Sequence, residues 1–210
     1  MWSTKRLVSI TLATVLALYL SISTVDACSC MPSHPQDQYC NADFVIVARI
    51  LSRRAVQNQR FVYKIDIRKE YKMSEKARHY LKHGRIFSAG NDGMCGIDFN
   101  LGELYLIVGS SPNVGICNYV KQYSKMTLVE KRGVAGGYKK GCECKINYGY
   151  NNLFESRNRI GGCDWKGPWN ECETDFGVCV PSRGYRDANN KPTKCHWRRS
   201  NPYMACIHAP

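Results

Sequence analysis

Twelve cysteines constrain this chain more than any other feature, and all of them lie after residue 27. The residues before them have the build of a secretory signal. Lys5 and Arg6 form a positive start, an apolar run extends from Leu7 to Leu20, and Val25 and Ala27 are the small residues expected at a cleavage site. The run is too short, and too interrupted by Thr and Ser, to read as a membrane span. In an oxidising compartment an even number of cysteines pairs, so six disulfides are expected rather than metal ligands. Removing residues 1–27 from the 210 leaves 183, a length that suits one compact domain or two small ones.

Cleavage after Ala27 makes Cys28 the first residue of the secreted protein. A free α-amino nitrogen and the residue's own carbonyl oxygen are then borne on adjacent carbons, so the two can chelate a metal while the sulfur is held in a disulfide. The formal charge falls from +13 to +12 with the loss of Lys5, Arg6 and Asp26. For an extracellular protein that charge points to sulfated glycosaminoglycans and anionic cell surfaces, not to nucleic acid. It fits a merely soluble basic surface equally well. Local concentrations occur at Arg53-Arg54, Arg68-Lys69, Lys131-Arg132, Lys139-Lys140 and Arg198-Arg199. No Asn-x-Ser/Thr sequon is present, so N-glycosylation is not expected.

Cysteine density divides the mature chain. Cys28, Cys30, Cys40, Cys95 and Cys117 are widely spread, whereas seven cysteines crowd into 142–206, and a boundary is expected between Cys142 and Cys144. Before it the chain reads as strands. Residues 61–68 alternate apolar and polar with the period of a half-buried strand, and residues 43–51 form the nearly continuous apolar run of a more deeply buried one. Arg85–Ala89, Leu104–Val108 and Val114–Val120 are further short strands, set off by Gly84, Gly90-Asn91-Asp92-Gly93, Gly102 and the 109–113 turn. This spacing favours a small barrel or sandwich over a parallel α/β sheet.

Two helices are predicted among the strands. Ser33 and Gln36 have capping-box spacing for a helix reaching about Tyr39, which would brace the Cys-x-Cys segment. Tyr119–Arg132 is weakly amphipathic and is stopped by Gly133 and Gly136-Gly137. After Cys144 the chain is rich in Gly, Asn and aromatics without periodicity, as expected of a small subdomain dependent on its disulfides.

Motifs for enzymatic chemistry are missing: there is no His-Glu-x-x-His, no phosphate-cradling glycine loop and no Gly-x-Ser-x-Gly. His79 and His83 stand four apart but lack a catalytic Glu and a third ligand, which favours two exposed histidines over a zinc site. His34, His196 and His208 form no cluster in the sequence. The chain reads as a binder with no cofactor of its own, not as an enzyme.

Several segments together carry a resemblance. They are Cys28-Ser29-Cys30 directly after the signal, His34-Pro35-Gln36 followed by Cys40, the strand Phe44–Arg49, Met94-Cys95-Gly96, and Gly141-Cys142-Glu143-Cys144 with Lys145-Ile146. In these the chain resembles the tissue inhibitors of metalloproteinases, closely up to Cys144 and loosely beyond. The resemblance implies a mainly β fold, with a five-stranded OB-type barrel and short helices at 28–142 and a smaller disulfide-rich subdomain at 143–210. It implies the pairs Cys28–Cys95, Cys30–Cys117, Cys40–Cys142, Cys144–Cys195 and Cys163–Cys179, and leaves Cys172 for Cys206. The family's close pair of cysteines soon after Gly-Cys-Glu-Cys is missing from residues 145–152, and Cys206 lies near the end of the chain. Docking to protease accessory domains, which the family assigns to its second subdomain, is therefore not carried over.

The resemblance also implies a mechanism. A catalytic zinc held by three protein ligands keeps one position for water. The amine and carbonyl of Cys28 would take that position, and Ser29 would enter the pocket for the side chain after the scissile bond. Cys30, Met31 and Pro32 would follow the cleft like product residues, and Gly93-Met94-Cys95 would occupy its other side. The expected partners are zinc metalloproteinases of matrix and membrane-anchored types. A non-inhibitory netrin-like module for matrix binding or signalling is the alternative, but there the first cysteine normally follows other domains and has no free amine. A disulfide-rich growth factor fits the charge but not the strand-rich first segment.

Overall fold

A computed structural model describes residues 28–56, 59–90, 92–148 and 161–209. The expected signal segment and residues 149–160, the greater part of the Gly/Asn-rich stretch, fall outside the described residues. The fold is mainly β, with a five-stranded antiparallel sheet, short helices and six disulfides.

Strand β1 (Phe44–Val56) lies at the centre, between β2 (Arg60–Met73) and β4 (Leu104–Gly109); β3 (Arg85–Ala89) and β5 (Val120–Gln122) form the outer positions. The continuous apolar run of β1 follows from its place. Phe44, Ile46, Ala48 and Ile50 enter one core with Tyr63, Ile65, Ile86, Phe99, Tyr105 and Ile107. Val45 and Val47, pointing the other way, enter a second core with Tyr39, Leu106, Val108, Met126, Val134 and Tyr138. A strand covered on both faces needs apolar residues at consecutive positions. Strand β2 has one covered face over its first half, which is why Tyr63 and Ile65 are buried while Lys64 is exposed.

Register shifts at Val45/Ile46, Val47/Ala48 and Ile50/Ser52 bend β1. The sheet curls until β3 meets the loop after β4. The Phe87 N–H donates to Pro112 O at 2.8 Å and the Val114 N–H to Phe87 O at 2.7 Å. These two bonds hold an otherwise open strand order in a barrel-like curve.

Three expectations are corrected. Strand β5 covers only Val120–Gln122, because residues 115–118 turn instead, with Gly115 N–H donating to Asn118 Oδ1 at 2.9 Å. No single helix covers Tyr119–Arg132. The sheet takes 120–122, a 3₁₀ turn takes Tyr123–Lys125, and a short α-helix starts only at Leu128, where Thr127 and Glu130 form a capping box. Helix α1 (Pro35–Asn41) is capped by His34 rather than Ser33: the ring Nδ1 accepts the Gln36 N–H at 3.1 Å, and Gln36 is drawn elsewhere. Helix α2 (Glu75–Leu81) begins at Ser74 and carries His79; His83 lies beyond its end, and both histidines are exposed.

Beyond Cys142, β6 (Lys145–Tyr148) pairs in parallel with β7 (Gly162–Trp165), and β8 (Cys179–Pro181) pairs with β9 (Cys195–Trp197) in antiparallel. The buried centre of this part is built from Cys144, Cys163 and Cys179 with Ile146 and Trp197 against them. Disulfides Cys144–Cys195 and Cys163–Cys179 thus form a core where few apolar side chains are present. The bond Cys172–Cys206 joins helix Glu171–Phe176 to helix Asn201–Ile207.

Candidate functional site

Residues 28–33 run without regular hydrogen bonding, and their exposure alternates. Ser29, Met31 and Ser33 are exposed while Cys28, Cys30 and Pro32 are partly buried. The segment is a ribbon with one face held down and the other in solvent. Disulfides Cys28–Cys95 and Cys30–Cys117 hold it, and the four sulfurs all lie within 4.8 Å of one another. Met31 is 90% exposed, so nothing in the fold accounts for its apolar side chain.

The receiving loops are clasped to each other. Cys95 adopts φ 59°, a left-handed conformation that a side-chain-bearing residue takes at a cost, after a 3₁₀ turn at Asp92–Met94. Its carbonyl accepts the Ile116 N–H at 3.1 Å. Gly115 permits this approach: a Cβ there would stand 2.1 Å from Cys95 O. Gly93, Met94 and Cys95 are therefore brought beside the ribbon, with Met94 and Ile116 about half exposed.

At its other end the ribbon runs into buried polar contacts. His34 is fully buried; its Nε2–H donates to Glu173 O at 2.9 Å, and its ring packs on Trp165 and Trp197 with centroids 5.4 and 5.2 Å away. Burial pushes its pKa down to about 4, against the opposing pull of the Glu173 bond. Two residues on, Gln36 donates to Gly141 O and Cys179 O, both at 3.0 Å, and accepts the Cys179 N–H at 2.9 Å. Sequence reasoning assigned Gln36 to a local cap and gave His34 no role. The only local signal was a His-Pro pair opening a helix.

The site contains no nucleophile paired with a base. Among the described residues, the groupings of possible metal ligands consist of cysteines already in disulfides. What it offers is a preformed, doubly stapled edge.

The sequence profile described as tissue inhibitor of metalloproteinase matches residues 26–197, which takes in this whole edge and the part anchored to it. The chain belongs to the tissue inhibitor of metalloproteinase family. It is 36% identical over 208 residues to the tissue inhibitor of metalloproteinase of Drosophila melanogaster, covering 98% of each chain. It is 27% identical over 182 residues to metalloproteinase inhibitor 3 of Xenopus laevis, covering 83% of this chain and 82% of the relative. To human metalloproteinase inhibitor 2 it is 31% identical over 148 residues, 63% of this chain and 65% of the relative. As a tissue inhibitor of metalloproteinase it is a binder and not an enzyme, and of the two families weighed from the sequence the inhibitory one is matched. Its six disulfides agree with the extracellular setting of such inhibitors, and among the described residues no helix is long and apolar enough to cross a membrane.

Proposed function

We propose that the protein is a secreted inhibitor of zinc metalloproteinases that enters the active-site cleft with residues 28–32 and ligates the catalytic zinc of its target through the amine and carbonyl of Cys28. Residues 28–142 would form the inhibitory unit and 143–210 a second one. The observation that carries this reading is the ribbon held by two adjacent disulfides with Ser29 and Met31 turned outward. Such a ribbon has little freedom left to lose on association, which raises affinity without further contacts. Ser29 would enter the pocket beyond the scissile position, and Gly93-Met94-Cys95 would line the opposite side. No peptide bond would span the zinc, so nothing could be cut. Matrix and membrane-anchored enzymes are both candidate targets. The zinc belongs to the protease, and the inhibitor needs no cofactor.

Blocking the amine tests this directly. An amide nitrogen cannot donate its lone pair to zinc, so one extra alanine before Cys28, or acetylation, should abolish inhibition without changing the fold. Undiminished inhibition by a homogeneous blocked protein would refute chelation.

A second reading, retention on sulfated glycosaminoglycans, is favoured by one cluster. Lys69 lies 4.8 Å from the Tyr71 ring and Lys131 4.7 Å from the Tyr123 ring, and both tyrosines pack against the second core, so two basic pairs distant in sequence converge. Retention on heparin should fall steeply with salt as the screening length drops from ~8 Å to ~3 Å at 1 M. Elution no later than an unrelated protein of equal pI would leave only generic charge.

A further inference from the structure

Beside the ribbon lies a groove of about 470 Å³ whose lining includes Met31, Pro32 and Ile116 from the first part of the chain and Pro168 and Trp169 from the second. Trp169 is 77% exposed, Met31 90% and Ile116 46%, so three large apolar side chains face one concavity instead of a core. An aromatic left in solvent on a well-formed turn gains nothing for folding. The turn is also rigid. Gly167 takes φ 109°, the ring of Pro168 fixes its own φ, the Asn170 N–H closes on Gly167 O at 3.0 Å, and the Asn170 side chain caps the following helix. Trp165, four residues earlier, is buried against His34 and donates to Thr174 Oγ1 at 3.2 Å. Trp169 is thereby fixed relative to the ribbon by the same contacts that anchor the ribbon's end.

The charged groups lining the groove are Lys121, Glu130 and Asp175, and Lys121 binds both carboxylates, at 2.8 and 3.2 Å. With its charges tied to one another, the groove suits a neutral apolar side chain.

We propose that Trp169 is a second anchor for the target, and that the groove between Met31 and Trp169 receives an apolar side chain from the rim of the metalloproteinase cleft. The inference rests on the reading that residues 28–32 occupy that cleft. It extends the contact surface past the residues any local motif would mark and gives the C-terminal part a direct share in inhibition. A rigid, exposed tryptophan beside an inserted ribbon has the properties of an interface hot spot.

The test compares four proteins against a panel of metalloproteinase catalytic domains: parent, amine-blocked parent, Trp169→Ala and Trp169→Phe. Trp169→Ala should weaken inhibition about tenfold or more on at least part of the panel through faster dissociation, and Trp169→Phe should keep most of the affinity. Equal inhibition constants for Trp169→Ala and parent throughout the panel would overturn the anchor while leaving chelation standing. Full activity of the blocked protein would overturn chelation independently. A readout on the unmutated surface is the fluorine resonance of Trp169 in parent labelled with 5-fluorotryptophan, assigned by its absence from Trp169→Phe. It should shift in the saturated complex; an unmoved resonance would refute contact.

Discussion

The imidazole Nε2 of His34 lies 2.9 Å from the carbonyl oxygen of Glu173, 139 positions away in the chain. With Nδ1 accepting from Gln36 N–H, the ring satisfies both bonds only as the neutral Nε2–H tautomer. A second proton would set two donors against each other in a site walled by tryptophans. One histidine thus holds the end of the 28–33 ribbon to the C-terminal part of the molecule.

Acid should therefore loosen this junction. The His34 pKa lies at about 4 in the folded protein against about 6.5 when unfolded, so the unfolded state binds more protons between those values. The contribution is complete above pH 6.5 and is lost as pH falls towards 4, amounting to about 3 kcal/mol at full extent. Asp37, raised to about 6 by burial, works in the opposite sense through an overlapping range. His34→Asn keeps a neutral cap and leaves Asp37 in place. With Asp37 common to both proteins, the variant's denaturant midpoint should rise relative to the parent's between pH 7 and pH 4.5, and a difference that stays constant with pH would contradict the assignment.

Gln36→Leu should be costly despite its similar size. It strips partners from Gly141 O, Cys179 O and the Cys179 N–H, all buried with it. A loss of about 3 kcal/mol or more is expected from groups left unsatisfied. Denaturant unfolding with the disulfides intact measures it, and a loss below about 1 kcal/mol would show that water reaches the site.

Glu130→Gln carries a different geometric conflict. One carboxylate oxygen accepts the Thr127 N–H at 2.6 Å, while the other accepts from the Tyr119 hydroxyl and Lys121 Nζ, both at 2.8 Å. An amide must turn its NH₂ towards one of these donors. Destabilisation of about 2 kcal/mol is expected by thermal or denaturant unfolding, since the bonds lost are charge-assisted and buried.

Ser29 should separate function from stability. It is exposed on the ribbon, so Ser29→Gly and Ser29→Leu should leave the unfolding midpoint nearly unchanged. Inhibition should weaken for most targets with Gly and change rank order with Leu. Identical inhibition constants across a protease panel for parent and both variants would show that the side chain enters no pocket.

Strand patterning was legible where local periodicity and tertiary environment agree. The run at 43–51 became the start of β1, the alternation at 61–68 lies within β2, and Arg85–Ala89 is β3. Patterning misled at 119–132 because apolar spacing there serves a strand, a 3₁₀ turn and a short helix in succession, with Val120 packed on the first core and Tyr123, Met126 and Val129 on the second. It misled again at Ser33, where a buried histidine took the cap and freed Gln36 for partners more than 100 residues away.

By itself, then, the sequence determined a cysteine-rich chain built for an oxidising compartment, its basic charge, a strand-rich first part with one strand buried on both faces, and the family whose segments it carries. These depend on residue types and on neighbours within a few positions. The tertiary structure alone decided that Gly115 lets Cys95 and Ile116 clasp, that His34 and Gln36 meet residues 173 and 179, and that Met31 and Trp169 share a groove. Such contacts leave no periodic trace. A buried hydrogen bond or a shared cavity depends on which surfaces come together, and chain neighbours carry no record of a partner more than a hundred residues away.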